Sequence, residues 1–148
     1  MRIVRKAYAY VTRGNHLLIF RHPDFPDAGL QVPGGSINPD ETSADAALRE
    51  AYEETGLTQL RLGVFLGEQQ RDLSDFGKAE LHHRYFYHVW CEEDTPAKWQ
   101  HHETDPSDDP IQRPIRFEFF WVALPDGVPP LIAGHDAFLP ALIAHLGL

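Results

Sequence analysis

Glu50, Glu53 and Glu54 stand at spacings that gather carboxylates on one side of a helix. At about 100° per residue, with Glu50 set at 0°, Glu54 falls near 40° and Glu53 near −60°, so the three share an arc of roughly 100°. Like charges at these spacings repel and weaken a helix by about 0.2–0.5 kcal/mol per pair. Arg49 can reach Glu53 at i+4, but one guanidinium cannot neutralise three carboxylates. Mg²⁺ can. It is a hard cation that takes oxygen ligands at about 2.0–2.1 Å, keeps several waters and bridges carboxylates to substrate phosphates. A solvated acidic helix face is the ordinary explanation of such a cluster. Against it stands Pro33-Gly34-Gly35, which predicts a sharp turn where backbone can approach a ligand closely.

The element that must carry these glutamates is a helix over Ser43–Thr55. Thr42, with Asp45 three residues on, resembles a capping box, and Gly56 stands where a left-handed C-terminal cap is expected. Ala44, Ala47, Leu48, Ala51 and Thr55 form a small-residue face, bordered by the acidic arc and suited to lying close against a sheet. Residues 7–12 and 17–20 read as a hairpin about Gly14-Asn15. A loop over 22–29 leads to a short extended piece at 30–32. Strands are expected at 60–70, 83–91 and 115–124. The polar stretch 92–114 reads as one long loop, functional or mobile, and 136–146 as a second helix, with Pro140 near its start. This order predicts an α/β fold with helices packed on a mixed sheet.

The 148 residues suit a single domain, 1–148. A net charge of −9 argues against wrapping a long nucleic acid, although a metal held by carboxylates inverts the local sign for a small anion. No apolar run is long enough to cross a membrane, and the N-terminus does not read as a signal peptide. With Cys91 as the one cysteine, the chain reads as cytoplasmic.

The stretch from Gly35 through Glu41, Arg49, Glu50, Ala51, Glu53, Glu54 and Gly56 to Leu57 resembles the Nudix box, G-x5-E-x7-R-E-U-x-E-E-x-G-U, with U aliphatic. Every fixed position is filled, and only Ala51 is small for its class. The resemblance implies a Nudix-type α/β/α sandwich with a mixed β-sheet and two main helices, in which Phe119-Phe120-Trp121-Val122 looks like the family's late apolar strand. It implies Mg²⁺, with Mn²⁺ as a substitute, held by Glu50, Glu53, Glu54 and the carbonyl of Gly35. Glu53, Glu50 and Arg49 would be catalytic, Arg49 by orienting a glutamate, while Glu41, placed early in the helix, would be structural. The implied reaction is attack of water on one phosphorus of a diphosphate, with positioning and charge neutralisation as the protein's part. Where many members carry a further acidic group, a few residues before the late tryptophan, this chain has Ile115, which leaves Glu118 and Glu103 as weak candidates for the base.

For substrate contacts, Arg84, Arg71 and Arg21 could pair with phosphate oxygens, and Trp99 could close over a bound base. Tyr85, Phe86, Tyr87 and Trp90 could stack one, but aromatics in a strand are more often core. His82-His83 and His101-His102 lack the spacing of a zinc site. The resemblance points to a nucleotide partner and admits a homodimer. Nucleoside triphosphates and dinucleoside polyphosphates or capped RNA ends are favoured over nucleotide sugars. A non-catalytic nucleotide sensor is the alternative, and the intact set of carboxylates argues against it.

Overall fold

A computed structural model describes residues 1–103 and 115–148. The chain runs β1 (Arg2–Arg13), β2 (His16–Arg21), β3 (Gly34–Ser36), α1 (Ser43–Thr55), β4 (Leu60–Asp72), β5 (Glu80–Cys91), β6 (Lys98–Glu103), β7 (Ile115–Ala123) and α2 (Leu139–Leu146). The strands form one mixed sheet in the order β4-β5-β1-β2-β7-β6, with β3 paired to β1. β1 and β5 are parallel and the other pairings antiparallel. The helices cover opposite faces. On one, Ala46, Ala47 and Ala51 of α1 lie against the strand residues Ala7, Ala9 and Val11, all buried. On the other, Leu139 and Leu142 of α2 close a core of Tyr10, Leu17, Ile19 and Phe86. This is the expected α/β/α sandwich.

α1 begins and ends as its sequence predicts. Thr42 accepts a hydrogen bond from the Asp45 N–H (3.1 Å), and Gly56 closes the helix at φ 74°. The small face exists because α1 must sit close to the sheet, and methyl groups permit that approach. Its placement differs from the expected one: Glu50 and Glu54 lie within the buried stripe with Ala46, and Ala44 is only half-buried. The cause is β3, which covers this edge of the helix.

β1 and β2 meet only near their turn, at Thr12–Leu17 and Arg13–His16. Beyond that point they splay. The segment after residue 30 enters the gap, with Gln31 bridging Phe20 and Gly34–Ser36 pairing with Lys6–Tyr8. The chain bends at Pro33, while Gly34 and Gly35 are extended rather than in a tight turn, and these glycines serve closeness. A Cβ on Gly34 would stand 2.7 Å from the Ala7 carbonyl oxygen, where backbone cannot yield.

The 92–114 stretch is not one loop, since β6 occupies its middle and pairs along β7 as an edge strand. Its polar residues suit an edge, where one side faces water. The remainder, 104–114, lies outside the described residues. β1 starts earlier than the apolar pattern indicates because Arg2–Lys6 pair with β5 through the backbone while their side chains stay largely exposed.

Candidate active site

Arg49 organises the acidic edge of α1. Its Nε and Nη2 grip Glu41 at 2.6 and 2.8 Å, Nη1 donates to Glu50 (2.9 Å) and Glu53 (3.1 Å), and Nη2 also reaches the Ser36 carbonyl (3.0 Å). One planar fork thus ties the segment before the helix, β3 and two of the three glutamates together. Glu41 precedes α1 rather than lying in it, and accepts the Asn38 N–H as well. Arg49 beside it holds its carboxyl below the usual range.

Glu50 is 9% exposed and Glu54 5%. Burial raises the Glu50 carboxyl above its ordinary value; Arg49 opposes the shift and the Glu53 charge adds to it. Glu54 accepts the Gly34 N–H (3.2 Å), which carries β3 onto the helix. Glu53 faces outward, with its side chain 53% exposed. Gly35 is where the backbone meets the carboxylates: a Cβ there would fall 2.5 Å from Glu50 Oε1. Among the described residues no three His, Cys, Asp or Glu side chains are arranged to hold a metal ion as they stand, because Glu53 turns out to Arg49 while Glu50 and Glu54 turn in. The donor chemistry nevertheless fits a hard cation. All donors are oxygens, and a glycine leaves the approach open.

Gly35 and Glu54 form one end of a cavity of about 240 Å³ that occupies the splay between β1 and β2. Tyr8, Phe20, His22, Gln31, Phe117 and His135 make most of its wall. The Phe20, His22 and Phe117 rings meet edge to face at about 5 Å. Sequence reasoning missed these residues. Apolar alternation places Tyr8, Phe20 and Phe117 in strands, but no local signal shows that two of those strands diverge.

The expected substrate-contacting residues are not brought together. Arg84 is buried at 2% exposure, with Nη1 donating to the Ala133 carbonyl and its guanidinium 5.3 Å over the Tyr8 ring. It has no carboxylate partner among the described residues, and it lies behind the cavity wall. Arg71 pairs with Asp75 (2.7 Å) and covers the Phe76 ring. Arg21 pairs with Glu118 (2.7 Å). Trp99 is in β6 rather than a loop, where its Nε1 donates to the Thr55 carbonyl (2.9 Å) and its ring stacks on Phe119, so it is packed instead of poised as a cover. Glu118 does not line the cavity. Burial acts to raise its carboxyl, and Arg21, Gln100 and Lys98 together hold it below the ordinary value. The side chain of Glu103 lies outside the described residues. His101 donates to the Glu54 carbonyl (2.8 Å) and His82 bonds Glu80 (2.9 Å), which gives each histidine a structural partner.

Comparison with known proteins adds the family. Its model, described as the NUDIX domain, matches residues 2–142. The chain is 27% identical over 125 residues to a CTP pyrophosphohydrolase of Escherichia coli (strain K12), covering 75% of this chain and 90% of that protein. It is 40% identical over 62 residues to diphosphoinositol polyphosphate phosphohydrolase 3-alpha of Homo sapiens, covering 40% and 37% respectively. A MutT protein from Methanosarcina mazei Go1 shares the fold at TM-score 0.64 and 19% identity, with 97% of this chain and 96% of that chain covered. A UDP-X diphosphatase superposes at TM-score 0.69 and 14% identity, covering 99% of this chain, which spans 64% of that one. The chain belongs to the Nudix hydrolase family.

Proposed function

We propose that this chain, as one domain over 1–148, is a Mg²⁺-dependent pyrophosphohydrolase that cleaves a nucleoside triphosphate or a dinucleoside polyphosphate. The observation that carries the reading is the cavity with aromatic walls that Gly34, Gly35 and Glu54 line, with the Glu50 carboxylate packed against Gly35. Glu50, Glu53, Glu54 and the Gly35 carbonyl would hold the metal, with Mn²⁺ as a substitute, and the metal supplies charge neutralisation at the phosphate oxygens. Arg49 keeps Glu50 and Glu53 in place through its hydrogen bonds. Exposed Glu53 takes part in directing water at phosphorus. Arg21, paired with Glu118 yet 54% exposed in its side chain, would have to leave that pairing to meet an outer phosphate.

Among the described residues no helix is long and apolar enough to cross a membrane, and we place the enzyme in the cytoplasm. A homodimer, which the family admits, is checked by light scattering.

The experiment is release of phosphate and pyrophosphate from a panel of nucleotides with Mg²⁺, wild type against Glu53→Gln. Because Glu53 is exposed, the variant folds. Loss of about 10²-fold or more in kcat supports catalysis, an effect of the size seen when a positioned catalytic group is removed. A wild type that cleaves nothing, yet is stabilised by nucleotides, would make the chain a sensor.

A further inference from the structure

The cavity wall also holds a histidine whose two ring nitrogens do different things. His135 is 5% exposed. Its Nδ1 accepts the Val32 N–H (3.2 Å), which leaves the proton on Nε2. Among the described residues Nε2 has no hydrogen-bond partner, and the residue lines the cavity. The ring is fixed from several sides. It stands edge-on to Tyr8 at 4.8 Å, and the Tyr10 hydroxyl donates to the His135 carbonyl (2.6 Å). Two residues earlier, Arg84 holds the Ala133 carbonyl, where the backbone turns through φ 51°. Burial, with Arg84 nearby, keeps the imidazole uncharged, its value lowered to about 3.

We infer that His135 is a specificity-determining residue that donates its Nε2–H to a hydrogen-bond acceptor on the heterocyclic base of the substrate. The inference rests on the pyrophosphohydrolase reading and names which end of the substrate lies where. Phosphates go to the end with Glu54 and Gly35, where charge can be neutralised. A planar ring goes against the aromatic side chains of the wall. A neutral donor that cannot accept is a poor partner for a cation and a good one for a ring nitrogen or ring carbonyl. The fold itself needs only the Nδ1 acceptor for Val32; an asparagine could supply that. The second nitrogen is surplus to the fold and faces the cavity.

Two substitutions separate the two nitrogens. The amide of His135→Asn places an acceptor near the Nδ1 position and removes the Nε2 donor, whereas that of His135→Gln reaches the Nε2 position and gives up the Val32 bond. The measurement is calorimetric affinity, with Mg²⁺, for a nucleoside triphosphate carrying a non-cleavable methylene bridge and for inorganic tripolyphosphate, which has no base. Wild type should prefer the nucleotide. His135→Asn should lose about tenfold in nucleotide affinity, the effect of one buried hydrogen bond, with tripolyphosphate unchanged. His135→Gln should recover most of that affinity despite a lower Tm. Equal nucleotide binding by wild type and His135→Asn overturns the inference, as does a parallel loss for both ligands, which would make His135 structural. If wild type binds tripolyphosphate and nucleotide equally, base reading fails while the pyrophosphohydrolase reading stands. If it binds neither, both fail.

Discussion

Arg49 satisfies five acceptors with one guanidinium, which makes its shape as important as its charge. Arg49→Lys keeps the charge and loses the fork, so Glu41 and Glu50 can no longer both be held. We expect kcat to fall by about 10²-fold and stability by about 1–3 kcal/mol, read from steady-state kinetics and urea unfolding; unchanged values on both would show that charge alone suffices. The adjacent glycines make a sharper pair. Gly35→Ala pushes a methyl group into the Glu50 carboxylate, the movable end of a side chain, so activity should fall by at least about tenfold while Tm barely moves. Gly34→Ala meets the Ala7 backbone and the Tyr8 ring, and should destabilise the fold by about 1–3 kcal/mol. Reversed results would mean that β3 shifts more easily than Glu50.

The elements differ in how far their sequences announce them. α1 was legible because a 3.6-residue pattern, a capping threonine and a terminal glycine agree on one answer. The box residues on it were legible by type and spacing. β3 was not, since Gly-Gly-Ser carries no strand preference and becomes extended only because β1 offers it a free edge. β6 was hidden for a similar reason: Lys-Trp-Gln-His-His-Glu reads as solvent-facing until β7 lies beside it. His135 follows a short helical turn and carries no motif; what sets it apart is a partner 103 residues away in sequence. The seat of α1 gives the prediction at this scale. Ala47→Leu thickens the layer between helix and sheet, and should cost about 1–3 kcal/mol and lower activity by tilting the acidic edge, as seen by unfolding and by kcat together.

Among the described residues, His88 and His135 are the buried histidines whose charging burial opposes most strongly. His88 is pushed to about 4 and His135 to about 3 from 6.5, chiefly by burial. Below pH 6.5 the unfolded chain takes up protons that the folded chain refuses until far lower pH. Their contribution to stability is therefore complete above about pH 6.5 and is lost as pH falls toward 4, by up to about 1.4 kcal/mol per pH unit for each group. Thermal unfolding between pH 8 and 4.5 should show this decline, and His135→Asn should flatten it; an unchanged slope would mean that the imidazole is charged in the native state.

The fork between β1 and β2 has a consequence for how this enzyme could change. The strands are stitched together at one end only, and the opening is propped by the residues after 30. That prop is tied to α1 in turn, by Glu54 at Gly34 and by Arg49 at Ser36. Any change that moves the prop therefore moves the ring pocket and the acidic edge together, like two faces cut into one jaw of a spanner. Within one chain, the pocket for a ring and the carboxylates for a metal hang on the same short strand.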